Sequence, residues 1–243
     1  MLHRILTPMV VATLALVAVV AAGTLYVQPA KAENWTGCYV GGAGGYSAAL
    51  MDTSISAGGG GIGVDSRGMQ GGSVAALLGC DMQVAPRVVM GVFADWTYDP
   101  DTTFSITATG IPTLLQMSLE NRWGVGGRAG YLVQPGSLVY VLAGYTQAQT
   151  SNITSPAGGP GFVIGVPDLK GYVIGAGSEF ALGNGLYLQA QYSYANYAKE
   201  NIALGGGPLV LGLDTDVQTA RVGLLFKFNT GDAANAFSPA PLK

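Results

Sequence analysis

The chain carries one histidine, His3, and two cysteines, Cys38 and Cys80, in 243 residues. Charged residues make up 10% of it, against about 25% in an ordinary soluble domain. These scarcities close off chemistry. Nucleophilic schemes that use imidazole as base have no histidine beyond position 3. Zinc, copper and haem sites lose their commonest ligand. Past residue 32 the lysines are Lys170, Lys199, Lys227 and Lys243, so a lysine base is hard to place as well. After residue 30 no stretch of ~18 apolar residues runs uninterrupted by glycine or charge, so no spanning helix is expected. Yet 49% of the chain is hydrophobic and its mean hydropathy is +0.37. An apolar chain without spanning helices has two outlets: a buried globular core, or a barrel with a lipid-facing wall. We expect no enzyme, no cofactor and no metal site.

The first residues read as an export signal. Met1-Leu2-His3-Arg4 is a short basic start, Val10 to Ala22 is apolar, and Ala30-Lys31-Ala32 fits the small-x-small cleavage rule. Residues 1–32 are therefore expected to be a cleaved signal peptide, with the mature chain starting at Glu33. The alternative is an uncleaved anchor, since Ile5 to Val27 is nearly long enough to span. Removing Arg4 and Lys31 leaves nine cations against fourteen acids, a mature net charge of −5. That balance offers no basic footprint for nucleic acid.

Alternation with a period of two then recurs eight times, near Gly37 to Ala48, Gly71 to Gln83, Val88 to Tyr98, Gln116 to Val133, Leu138 to Gln149, Lys170 to Leu182, Leu186 to Tyr197 and Thr215 to Phe228. This period belongs to strands and not to helices. Val88, Met90, Val92, Ala94, Trp96 and Tyr98 share one face of the third segment, for example, and Val89, Gly91, Phe93, Asp95 and Thr97 share the other. Only the fifth segment has an ambiguous facing. Connections alternate between tight turns (84–87, 134–137, 183–185) and long ones (49–70, 99–115, 150–169, 198–214). Short turns on the periplasmic side and long outer loops are the asymmetry of outer-membrane barrels. A soluble β-sandwich would alternate too, but has no need of export, scarce charge, or aromatics such as Trp96, Tyr98 and Tyr131 near strand ends on the apolar face. The expected fold is all-β: an eight-stranded antiparallel up-and-down transmembrane β-barrel over residues 33–228, followed by a flexible periplasmic tail, 229–243.

The polar face of these strands collects Asp95, Glu120, Arg122, Arg128, Glu179, Arg221 and Lys227. Carboxylates could pair as acid and base. An interior network is the plainer reading, because an eight-stranded barrel is just wide enough for side chains to fill and charges there must pair or meet water. Arg128 and Arg221 are the obvious partners for Glu179 and Glu120. The glycine clusters (Gly41-Gly42, Gly58 to Gly61, Gly205 to Gly207) precede no Lys-Ser/Thr and open no helix, so they are not phosphate loops. Asp52, Asp65, Asp99 and Asp101 fall in the expected outer loops as solvated acids, since one Asp-x-Asp pair is far short of the roughly six to eight oxygens calcium wants.

The opening Trp35-Thr36-Gly37-Cys38-Tyr39-Val40-Gly41-Gly42 resembles the "WTGxYVGG" start of small alphaproteobacterial outer-membrane β-barrels, the porin-like, RopB-type immunodominant surface proteins. Further segments resemble that family in order: Gly79-Cys80-Asp81-Met82-Gln83, Gly91 to Trp96, Gly127 to Tyr131, Gly175 to Phe180, Gln191 to Tyr194 and Arg221 to Phe228. Each motif is weak by itself; seven in register over 33–228 are strong. The resemblance implies a barrel in the Gram-negative outer membrane, among outer-membrane lipid and lipopolysaccharide and inserted by the barrel assembly machinery. It names no settled activity, since members are described as porins, adhesins or envelope-stabilising proteins. One departure stands out: such barrels usually end on the last strand's aromatic residue, whereas Phe228 is followed by Asn229 to Lys243.

Cys38 and Cys80 fall near the periplasmic ends of adjacent strands and, by alternation, on the outer face. Cross-strand neighbours can meet disulfide geometry; a register error of one residue would separate them, so the bond stays open at this point. Three functions remain in view. The chain could be a structural and surface-interaction barrel with a filled lumen, whose apolar outer loops (Phe104, Ile106, Ile111, Leu114, Leu115; Phe162, Val163, Ile164, Val166; Leu209, Val210, Leu211) pack together, as is commoner, or contact lipid or a partner; a pore for small solutes using the space left by inward glycines; or an adhesin or ligand binder, which differs from the first only by a specific partner.

Overall fold

The computed structural model describes residues 35–57, 60–100, 103–108, 111–150, 153–154, 163–164, 168–204 and 209–228, with side chains given for all of these except 51–69, 103–120, 150–164, 199–211 and 213. The expected signal peptide and C-terminal tail lie outside the described residues. Every regular element among them is a strand: β1 Gly37–Ala57, β2 Gly60–Ala85, β3 Val88–Tyr98, β4 Thr103–Ala108, β5 Ile111–Gln134, β6 Ser137–Thr150, β7 Ile153–Thr154, β8 Val163–Ile164, β9 Leu169–Gly183, β10 Leu186–Leu204 and β11 Leu209–Phe228. Among the described residues no helix is long and apolar enough to cross a membrane.

Eight of these strands close into a ring by antiparallel pairing, in the order β3-β2-β1-β11-β10-β9-β6-β5, with β5 returning to β3. The first strand pairs with the last, Cys38 opposite Phe228 and Ala57 opposite Leu209. A closed ring leaves no strand edge in the bilayer and satisfies the backbone internally. The three short strands sit beyond the ring, β4 and β7 beside the upper part of β5 and β8 beside β7.

The periplasmic turns are as tight as expected, with Pro86-Arg87, Pro135-Gly136 and Asn184-Gly185 between strands. In the last of them Gly183, Asn184 and Gly185 all have positive φ (96°, 54° and 77°), a conformation glycine adopts freely and asparagine tolerates. The long outer connections are corrected by the structure. Much of 49–70 and 198–214 is not loop but strand, since β1 runs to Ala57, β2 starts at Gly60, β10 runs to Leu204 and β11 starts at Leu209. Glycine and serine in these segments read as turn signals, yet paired strands carry them well past the membrane band.

Alternation sets the two faces. Outward Val40, Val74, Leu78, Val92, Val125, Val141, Ile174, Val222 and Leu224 are between 45% and 61% exposed. A continuous apolar exterior of this kind belongs in lipid. Aromatics cluster at its extracellular border: Trp96 stacks on Tyr98, Trp123 packs on Tyr145, and Trp96 is directly opposite Trp123. The facing of β6, ambiguous from its sequence, is resolved with Leu138, Tyr140, Leu142, Thr146 and Ala148 buried inward.

Candidate functional site

The bore is the only chemically dense region among the described residues, and it is built from the bottom up. At the periplasmic mouth Trp35 lies across the opening with 1% exposure. Its Nε1 donates to the Pro135 carbonyl in the β5–β6 turn at 3.0 Å, and its ring meets that of Tyr187 edge-on at 5.1 Å. The Lys227 ammonium sits 4.2 Å from the Trp35 ring centroid and 4.7 Å from that of Tyr187, within cation–π range.

Above this stopper four charges form a closed cycle. Arg128 binds Asp81 through Nε at 2.8 Å and through Nη2, and its Nη1 donates to Glu179 at 2.5 Å. Lys227 then bridges Glu179 at 2.8 Å and Asp81 at 3.0 Å. The members come from β2, β5, β9 and β11, every second strand around the ring. Both carboxylate side chains are 0% exposed. Two cations against two anions make the unit neutral, which is what lets four charges sit in a low-dielectric bore. Between them, from the alternate strands, come the rings of Tyr39 and Tyr140, on which Arg128 rests at 4.5 Å and 5.0 Å.

Inward glycines seat these large groups. A Cβ at Gly79 would strike the Tyr39 ring, one at Gly177 the Tyr140 ring, and one at Gly91 the Asp81 carboxylate. Each lies directly opposite the group it accommodates. The inward glycines therefore do not leave the bore empty, as the pore reading supposed; a neighbouring strand fills the space.

Midway up, Arg221 donates to Asp95 at 3.0 Å, and Tyr140 links Gln189 and Gln191 at 2.9 Å each. A cavity of about 10 Å³ remains among these groups, room for about one water molecule. Near the extracellular end Arg122 is bidentate to Asp99, at 2.8 Å and 3.1 Å, and also donates to Ser47 at 2.9 Å and Thr219 at 3.3 Å. At the periplasmic rim, outside the bore, Arg87 donates to the Tyr131 hydroxyl at 3.3 Å, and that bond raises the Arg87 pKa above the ordinary guanidinium value.

Asp95, Arg122, Arg128, Glu179, Arg221 and Lys227 all lie on the inner face, in three groups rather than one network. Arg221 pairs with Asp95; the side chain of Glu120 lies outside the described residues. Two acids escape the sequence reading. Asp81 is inward because Cys80, its neighbour, is outward. Asp99 is corrected from solvated loop acid to buried partner: it continues the inward parity of Asp95 and Thr97, and its side chain is 0% exposed. Asp52, Asp65 and Asp101 have side chains outside the described residues. Cys38 and Cys80 face each other across β1 and β2 and are joined in a disulfide.

Comparison with known proteins places this geometry. The sequence matches the family described as outer membrane protein beta-barrel domain over residues 13–228. It is 26% identical over 211 residues to a 31 kDa outer-membrane immunogenic protein of Brucella melitensis biotype 1, covering 82% of this chain and 86% of that one. It is 28% identical over 206 residues to a 22 kDa outer membrane protein of Rhizobium leguminosarum bv. viciae, covering 82% and 81%. Among solved structures, the outer membrane protein OprG of Pseudomonas aeruginosa superposes with a TM-score of 0.50 at 12% identity, over 80% of this chain and 97% of that one. That last likeness concerns the fold alone.

Proposed function

The chain belongs to the outer membrane protein beta-barrel domain family, and from that premise we propose that it is a non-conducting structural barrel that supports envelope integrity and meets other molecules through its extracellular hairpins. It is an outer-membrane β-barrel protein, like its Brucella and Rhizobium relatives. Export by the cleaved signal of residues 1–32 and insertion by the barrel assembly machinery bring it there. Outer-membrane lipid and lipopolysaccharide then surround the apolar wall and its aromatic border.

One observation carries the non-conducting reading: the cycle Asp81–Arg128–Glu179–Lys227, stoppered by Trp35. A pore for solutes needs a continuous water path, and this cross-section is occupied by salt-bridged side chains packed on aromatic rings. The same residues give no catalytic arrangement. Each carboxylate of the cycle is committed to two cations, and no histidine follows His3, so we assign no enzymatic activity and no cofactor. With its work not in the lumen, the protein acts through mass, rigidity and the strands that β1, β2, β10 and β11 carry beyond the bilayer.

Single-channel recording in planar bilayers tests this. Wild-type protein is expected to be silent, while Trp35→Ala combined with Arg128→Ala and Glu179→Ala is expected to give discrete openings. Steady channels from wild type would overturn the reading in favour of a diffusion pore.

A further inference from the structure

The position of the disulfide in the sheet is informative. Cys38 stands at the foot of β1, opposite Cys80 on one side and Phe228 on the other. The bond therefore sits beside the seam where the first and last strands close the barrel. Just below it, Thr36 accepts from the Gln83 backbone N–H at 3.1 Å and the Trp35 N–H reaches the Gln83 side chain.

The ladder that it clamps is the one whose side chains specify register least. From Gly41↔Leu77 to Leu50↔Gly68, all ten successive pairs of β1 and β2 contain a glycine or an alanine. Nine glycines lie between Gly37–Leu50 and Gly68–Asp81. Register is pinned by complementary side chains and is weakly held in glycine-rich strands. The β10–β11 ladder is different, with Tyr187↔Leu225, Leu188↔Leu224, Gln191↔Arg221, Ser193↔Thr219 and Tyr194↔Gln218. The hairpin tip cannot supply the missing information to the foot, because the β1–β2 register shifts between Met51 and Thr53.

Register at this foot matters to the bore. A slip by two keeps every side chain on its proper face, so burial does not forbid it. It would move β1 by about 7 Å along β2, taking Tyr39 off Gly79 and separating the Lys227 side of the seam from Asp81. We propose that the Cys38–Cys80 disulfide is a register pin: formed in the oxidising periplasm before closure, it fixes β1 against β2 so that the seam and the Asp81–Lys227 contact fall into place. Its formation takes two electrons and two protons from the thiols to a periplasmic thiol oxidant. Once the ring is closed, β11 and the ion-pair cycle hold β1, and the bond is no longer required for register.

The test compares the order of reduction and looks for the slipped state directly. The full exported chain is folded into lipid vesicles either oxidised and then reduced, or reduced throughout. In parallel Cys80→Ser/Met82→Cys and Cys80→Ser/Leu78→Cys report a slip by two in either direction, since Cys38 meets position 82 or 78 only in a shifted ladder. Folded fraction is read by unheated gel mobility, and linkage by non-reducing mass mapping. The expected result is a uniform barrel that survives late reduction, several-fold slower folding when reduced from the start, and a bond from Cys38 to the introduced thiol at position 82 or 78 in a measurable share of the variants. If early and late reduction give the same folding yield and rate, and neither slipped bond forms, the pin is refuted. If late reduction unfolds the barrel as fully as early reduction prevents folding, the bond is an ordinary stabilising cross-link and the proposal also falls.

Discussion

The lower and upper parts of the bore are both filled and both charged, yet they are wired differently. Near the periplasm each of four charges has two charged partners, and three tyrosines and a tryptophan pack against the cations. Near the extracellular end Arg122 has one acid, Asp99, and completes its shell with the hydroxyls of Ser47 and Thr219. A closed cycle links every second strand and occupies a cross-section of the bore. The single pair with hydroxyl support also reaches four strands, β5, β1, β11 and the end of β3, but only one of its links is an ion pair, and it lies at the end that meets outside water. The difference suggests that sealing and closure reside at the periplasmic end, while the extracellular end only has to avoid an unpaired charge.

The largest effect should come from opening the cycle at its most connected member. Arg128→Met keeps the volume but leaves Asp81 and Glu179, both with 0% side-chain exposure, with Lys227 alone. Removing one partner of a buried ion pair typically costs about 3–5 kcal/mol. We expect a fall of that order in unfolding free energy, read as a lower urea midpoint for the folded barrel in lipid. Arg122→Met should cost less, about 2 kcal/mol, because Asp99 is the last residue before Pro100 at the upper end of β3 and can be reached by water once its partner is gone. Equal losses from the two substitutions would break the comparison, since they would mean that the cycle gives no advantage over an isolated pair.

Much of this is legible in the sequence because a strand in a barrel has only two faces. Alternation alone puts Asp95, Arg122, Arg128, Glu179, Arg221 and Lys227 on the polar face, and that is the face the structure buries. What alternation cannot give is height. Two inward charges meet only if strand tilt and stagger bring them to one level, so the Asp95 partner of Arg221 and the Asp81 partner of Arg128 cannot be read off a strand pattern. Asp81 is hidden in a segment that stands out for its motif resemblance. Asp99 reads as a loop acid because Pro100 follows it, although its parity already points inward. The strand extensions to Ala57 and Leu204 escape for a related reason. Glycine-rich segments look like turns when taken alone, and only pairing with a neighbour makes them strands.

The third charged group sharpens the contrast between the two ends. Arg221 contacts Asp95 at 3.0 Å, and its Nε finds no partner among the described residues. Asp95 is the most open of the four described interior acids, with 18% of its side chain exposed, and it also accepts from Thr97 at 3.4 Å. Arg221→Met therefore removes one hydrogen-bonded pair and at the same time an unsatisfied buried N–H. These act in opposite directions, and each is worth about 1 kcal/mol or somewhat more. The expected net change is at most about 1 kcal/mol, the smallest of the three, measured by the same urea midpoint. Because Arg221 sits between the cycle below and the Arg122–Asp99 pair above, a loss as large as that of Arg128→Met would mean that the three groups act as one continuous network. A small loss would mean that the charges of the bore are separate layers, and that sealing depends on the lowest of them.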